Sequence, residues 1–144
     1  MRRVSHSVLL GIALAYAIGA AANVHAQGAA PSAVPAEAKK LKNPAASTPA
    51  AIEAGSQLFQ KYCKFCHGNT GKGDSAMAPK AMQPSNLTDA EWVRGSTEGE
   101  IFWVIQNGAP PKYDMKGLKG KLTDPEIWNL VSYVRSLGGV TKSH

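Results

Sequence analysis

Cys63-Lys64-Phe65-Cys66-His67 is the stretch on which the reading of this chain turns. Two thiols three positions apart on a turn are each placed to add across one vinyl group of a haem, forming thioethers. The imidazole immediately after them is then held beneath the iron as its proximal ligand. The chain has two cysteines, and both are spent here. A redox dithiol of this spacing would want a βαβ pattern around it, and the chain shows almost no strand periodicity. A zinc site would need further ligands, and no other cysteine exists. A disulfide between residues so close would staple very little loop. The motif therefore predicts one haem c, bound covalently through Cys63 and Cys66, with His67 on the iron.

The N-terminus indicates where such a group would be attached. Arg2 and Arg3 precede an apolar run, Val8 to Ala22, broken only by glycine, and Val24-His25-Ala26 follows as a small-residue cleavage site. Residues 1–26 read as a secretory signal peptide, and the expected location is periplasmic. The alternative is an uncleaved anchor, since the run approaches the length that spans a bilayer; only then would a membrane be a partner. The 16 basic and 10 acidic residues give a formal charge of +6. Losing Arg2 and Arg3 leaves 14 against 10, or +4. The lysines are scattered and form no basic helix face, so nucleic acid is not an expected partner.

Residues 27–48, rich in Ala, Pro and Ser, read as a flexible linker. One small domain follows over 49–141, with a short tail at 142–144. At that size an apolar core is marginal unless a cofactor adds to it. The periodicity is helical throughout, and the fold class is all-α with three to four helices. Thr48 caps a first helix with Pro49 at its first position, carrying Ile52, Gly55, Phe59 and Tyr62 into Cys63. Thr97 and Glu100 form a capping box before Ile101, Phe102, Val104 and Ile105, and Gly108 ends that helix. Thr123 and Glu126 repeat the signal before Ile127, Leu130, Val131 and Val134, with Gly138 and Gly139 as the stop. A shorter helix is expected around Thr88 to Val93, opening near Asn86. The Gly- and Pro-rich loops 68–85 and 108–122 are suited to wrapping a cofactor.

A second strong iron ligand would separate an electron carrier from a ligand-binding haem. His6 and His25 fall in the leader and His144 at the frayed C-terminal tip, which makes a second histidine ligand a poor expectation. Three methionines follow the cysteine motif: Met77, Met82 and Met115. A thioether is a soft ligand that favours the ferrous state. Residue type alone leaves the three open.

In these motifs the chain resembles the class I cytochrome c family, in particular the small bacterial monohaem c-type cytochromes. The resemblance runs over about residues 52 to 138: Gly55-x-x-Leu58-Phe59, then C-K-F-C-H-G-N-T-G-K-G-D from Cys63, Pro84-Ser85-Asn86-Leu87-Thr88, Ile101 to Gly108, Met115, and Trp128-Asn129-Leu130-Val131-Ser132-Tyr133. It implies a fold in which the first and last helices cross at Gly55, with Phe59 and Tyr133 at the crossing and long loops wrapped around one covalent haem. It implies Met115 as the second iron ligand beside His67. It also implies the backbone carbonyl of Pro79 as acceptor for the other His67 nitrogen, with Pro84 as competitor. Trp92, Arg94 and Tyr113 carry donors that could reach haem propionates, with surface or core packing as the alternative for each, and Lys64, Lys72, Lys80, Lys112 and Lys116 flank the motifs expected around the haem edge.

No general acid–base pair or nucleophile–histidine couple is present. Gly68, Gly71 and Gly73 lack the lysine–hydroxyl ending of a phosphate-binding loop. The expectation is a monomeric electron carrier rather than an enzyme, cycling between Fe(III) and Fe(II). It would accept from a dehydrogenase or quinol-oxidising complex and donate to an oxidase or another cytochrome. The alternative is a haem enzyme or gas sensor with an open sixth position.

Overall fold

Helix α1 (Pro49–Tyr62) starts where Thr48 Oγ1 accepts the Ala51 N–H at 3.2 Å, and Pro49 fills a position that needs no N–H of its own. Helix α2 (Lys64–His67) is one turn through the cysteine motif. Helix α3 (Glu98–Asn107) opens on the expected capping box: Thr97 Oγ1 accepts the Glu100 N–H at 3.2 Å, and Glu100 Oε2 accepts the Thr97 N–H at 3.0 Å. Helix α4 (Asp124–Leu137) opens likewise, with Glu126 Oε2 accepting the Thr123 N–H at 2.8 Å. The computed structural model describes residues 33–44 and 47–138. The expected signal peptide over 1–26 and the tail at 142–144 lie outside the described residues. Among the described residues there is no β-strand, and no helix is long and apolar enough to cross a membrane.

The frame is the crossing of α1 over α4. Gly55 is buried against the Asn129 carbonyl, so closely that an added Cβ would run into it. Phe59 and Tyr133 meet beside it with ring centroids 5.2 Å apart, tilted by 55°. From α4, Ile127, Leu130 and Val131 are wholly buried, and Trp128 stacks on Phe102 of α3 at 4.2 Å. Each such side chain contributes about 1.5–3 kcal/mol when removed from water.

Two segments depart from expectation. The short helix foreseen near Thr88 to Val93 is absent. Asn86 Oδ1 accepts both the Thr88 N–H at 2.9 Å and its hydroxyl at 2.8 Å, and Asp89 Oδ1 takes the Glu91 N–H at 3.0 Å. Short polar side chains there satisfy the backbone locally, in competition with a helical ladder. Residues 33–44, read as part of a flexible linker, instead lie against α3. A 3₁₀ turn (Ala36–Lys40) buries Ala38, whose carbonyl sits where a Cβ on Gly99 would have to be. Lys39 Nζ is 3.8 Å from Glu100 Oε1, and Asn43 Nδ2 donates to Ser132 Oγ at 3.2 Å. Composition hid this because the complement lies on a distant helix rather than in the segment itself.

Candidate functional site

The cysteine motif is held as a turn by its own backbone and by the loop after it. The Cys66 and His67 N–H groups donate to the Cys63 carbonyl at 3.1 and 3.0 Å. Ser75 Oγ donates to the Phe65 carbonyl at 2.7 Å, and the Gly73 N–H to that of His67 at 2.9 Å. Gly73 has φ +75°, and an added Cβ would strike the Pro84 carbonyl, so glycine is what lets 84–85 lie against this turn. The Leu87 N–H donating to the Gly71 carbonyl at 2.7 Å holds the two segments in that position.

That pairing decides the partner of His67. Its Nδ1–H donates to the Ser85 carbonyl at 3.0 Å. The expected acceptor, Pro79, is corrected: its carbonyl takes the Met82 N–H at 2.8 Å within a turn of its own, and Pro79 is exposed. Pro84 stands one residue from the observed acceptor. With Nδ1 engaged, Nε2 is the nitrogen left with a lone pair for a metal. Burial pushes His67 below the usual imidazole range, against the opposing pull of the Ser85 carbonyl, so the ring is neutral near pH 7. Burial, with the nearby Cys66 second, pushes the Cys63 thiol up to about 12. No disulfide joins the two cysteines.

Two cavities meet at this turn, of about 90 and 340 Å³. They share Cys63, His67, Ser85, Arg94, Ala109 and Met115 among their walls. The smaller is also lined by Phe59, Leu87, Trp92, Ile101, Val104, Ile105 and Val134. The larger adds Tyr62, Cys66, Met82 and Leu118, with Lys112, Asp114 and Lys116 among its polar lining. An apolar chamber with two thiols, a neutral imidazole and a thioether on its walls fits a tetrapyrrole and its iron: flat apolar surface for the walls, vinyl carbons for the thiols, soft and borderline donors for the metal.

Sequence reasoning brings most of this set together. Cys63, Cys66, His67 and Met115 converge on the chamber, as do Trp92 and Arg94. Met82 also lines the larger cavity, whereas Met77 is 58% exposed and lines neither cavity. Of the five lysines, Lys112 and Lys116 line the chamber; all five are exposed. Ser85 was missed as the histidine's acceptor, since a backbone carbonyl leaves no mark in residue type.

A family model for cytochrome c oxidase, cbb3-type, subunit III matches residues 50–134. The chain belongs to this family of cytochrome c domains. It is 37% identical over 95 residues to the cbb3-type cytochrome c oxidase subunit FixP of Sinorhizobium medicae (strain WSM419), covering 66% of this chain and 30% of the relative. It is 36% identical over 91 residues to subunit CcoP of Rhodobacter capsulatus, covering 60% and 29%. The chain thus spans about a third of the length of the curated relatives it matches. Among solved structures, cytochrome cL of Methylophaga aminisulfidivorans superposes with a TM-score of 0.52 at 28% identity, covering 62% of this chain and 57% of that one. A Kuenenia stuttgartiensis reducing HAO-like protein complex shares the fold, with a TM-score of 0.58 at 24% identity, covering 67% of this chain and 49% of that one. The class I c-type resemblance and the all-α fold hold.

Proposed function

We propose that this cytochrome c domain binds one haem c through thioethers at Cys63 and Cys66, with His67 and Met115 on the iron, and carries single electrons between redox proteins. The observation that carries this is the convergence of both thiols, the neutral imidazole and Met115 on one apolar chamber. The bound group supplies the one-electron couple. The chain's residues do the rest. Ser85 fixes the histidine tautomer and raises its basicity, the apolar walls exclude water, and two strong ligands kept in both redox states keep reorganisation small. A protein of this kind performs no substrate chemistry of its own.

The relatives' names describe oxidase subunits, which supports a respiratory donor or acceptor for this chain: a dehydrogenase or quinol-oxidising complex on one side, an oxidase or another cytochrome on the other. Lys112 and Lys116 at the chamber's rim favour an acidic partner face. The apolar run before Ala26 supports export and a periplasmic setting, with the domain acting as a monomer.

The test is the visible spectrum of the exported, matured protein, oxidised and reduced, with and without carbon monoxide. A low-spin c-type spectrum with a methionine–iron charge-transfer band, indifferent to the gas, is the expected outcome. A high-spin or gas-reactive ferrous protein would overturn it in favour of catalysis or gas sensing at an open iron.

A further inference from the structure

Arg94 is placed against ordinary preference. The apolar Val93 beside it is 84% exposed, while the charged Arg94 is half-buried and faces both cavities. No carboxylate among the described residues pairs with it. Its Nε instead donates to the carbonyl of Pro110 at 2.9 Å. That bond crosses from the loop before α3 to the loop that carries Met115.

Both ends of the crossing are set by their surroundings. On the arginine side, Arg135 Nη1 donates to the Ser96 carbonyl at 2.9 Å, and Glu100 holds Thr97. On the far side, the Ala109 N–H donates to the Met115 carbonyl at 3.0 Å and the Tyr113 N–H to that of Ala109 at 2.8 Å, closing a small ring of chain over 109–115. Pro110 and Pro111 bring no N–H to this ring, so a carbonyl is what an outside group can grip there. A guanidinium is the suitable grip, because it stays charged and holds its donors in a rigid plane.

We infer that Arg94 is a positioning residue for Met115: by holding the Pro110 carbonyl it keeps the ring 109–115 closed over the chamber, with the thioether at the iron. This rests on the ligand role proposed above for Met115. It adds that ligation is maintained from outside the loop, by a side chain that need not touch the iron.

The experiment uses the full, haem-loaded chain with Arg94→Gln and Arg94→Lys. Covalent haem and helical content are expected to stay as in the parent. Ferrous Arg94→Gln should take up carbon monoxide about tenfold faster than the parent, the equivalent of losing one charge-assisted hydrogen bond. Its ferric charge-transfer band should be lost at lower pH, with Arg94→Lys recovering part of both. Amide exchange at Ala109 and Tyr113 should quicken in the glutamine variant. Gas response, band and exchange all at parent values would overturn the inference. So would lowered thermal stability with those three unchanged, which would make Arg94 a residue of the fold alone. If the parent itself shows no charge-transfer band, the Met115 assignment fails instead, and the two amides still report whether Arg94 holds the ring.

Discussion

At the scale of single residues, the chemistry is concentrated where the chain has least choice. Both cysteines stand in one motif, and His67 is the only histidine between the expected leader and the last residue. Their type and spacing single out those three positions in the sequence, and the fold brings them to one chamber. Met115 is singled out as a ligand by resemblance alone, and two methionines in the chamber make that assignment testable by difference. Met115→Ala should retain covalent haem, open the ferrous iron to carbon monoxide and lower the reduction potential, because the soft ligand that favours Fe(II) is gone. Met82→Ala should leave gas response and potential near the parent's. Carbon monoxide difference spectra and a redox titration of both variants check this, and the reverse pattern would exchange the roles. The partner of His67 was not legible, for a physical reason. The acceptor is a carbonyl delivered by backbone geometry, and that geometry depends on Gly73 allowing 84–85 to lie against the turn.

Among the helices, local signals were strong and were obeyed. Thr48, Thr97 and Thr123 each stand at a helix start, and Glu100 and Glu126 each reach back to the threonine N–H three residues before. Local rules also failed locally: the helix expected near Thr88 to Val93 gave way to Asn86 and Asp89, whose side chains claim the same N–H groups. The caps carry a pH signature. The bonds from the Thr123 N–H and hydroxyl hold the Glu126 carboxyl below its ordinary value near 4.5. A carboxyl depressed in the folded state stabilises it above the unfolded value, and that contribution is lost as pH falls through the folded one. Glu126→Gln should therefore lower stability near neutrality and shrink the gap to the parent as pH drops below about 4.5. Thermal melts across pH 3 to 7, a window set about the ordinary carboxylate value, check the sign; a gap that widens on acidification would exclude this role. The crossing of α1 and α4 makes a steric prediction. Gly55→Val places methyl groups against the Asn129 carbonyl and the Tyr133 Cβ, and should cost roughly 1–3 kcal/mol or more, read by denaturant unfolding.

Over the whole molecule, α3 works as a two-sided helix, and this organisation was the least legible. Ile101, Val104 and Ile105 face the chamber, while Gly99 lies roughly 120–160° around the helix from them by the ordinary helical period. On that outer side the segment 33–44 docks, with Ala38 buried and Leu41 against the missing Cβ of Gly99. The match is between a small residue in one segment and a bare backbone about 60 positions later, which neither composition nor periodicity records. Gly99 therefore controls docking without touching the chamber. Gly99→Val should displace 33–44, because its side chain would occupy the space of the Ala38 and Leu41 carbonyls. Ser132 keeps its bond to the Trp128 carbonyl at 3.1 Å when Asn43 leaves, so no buried hydroxyl is stranded. The cost should be on the order of 1–2 kcal/mol, the worth of a small apolar contact and one or two hydrogen bonds. Limited proteolysis should find new cleavage within 33–44 while the visible spectrum and gas response hold. A changed charge-transfer band in that variant would mean instead that the outer face of α3 is coupled through the helix to the iron.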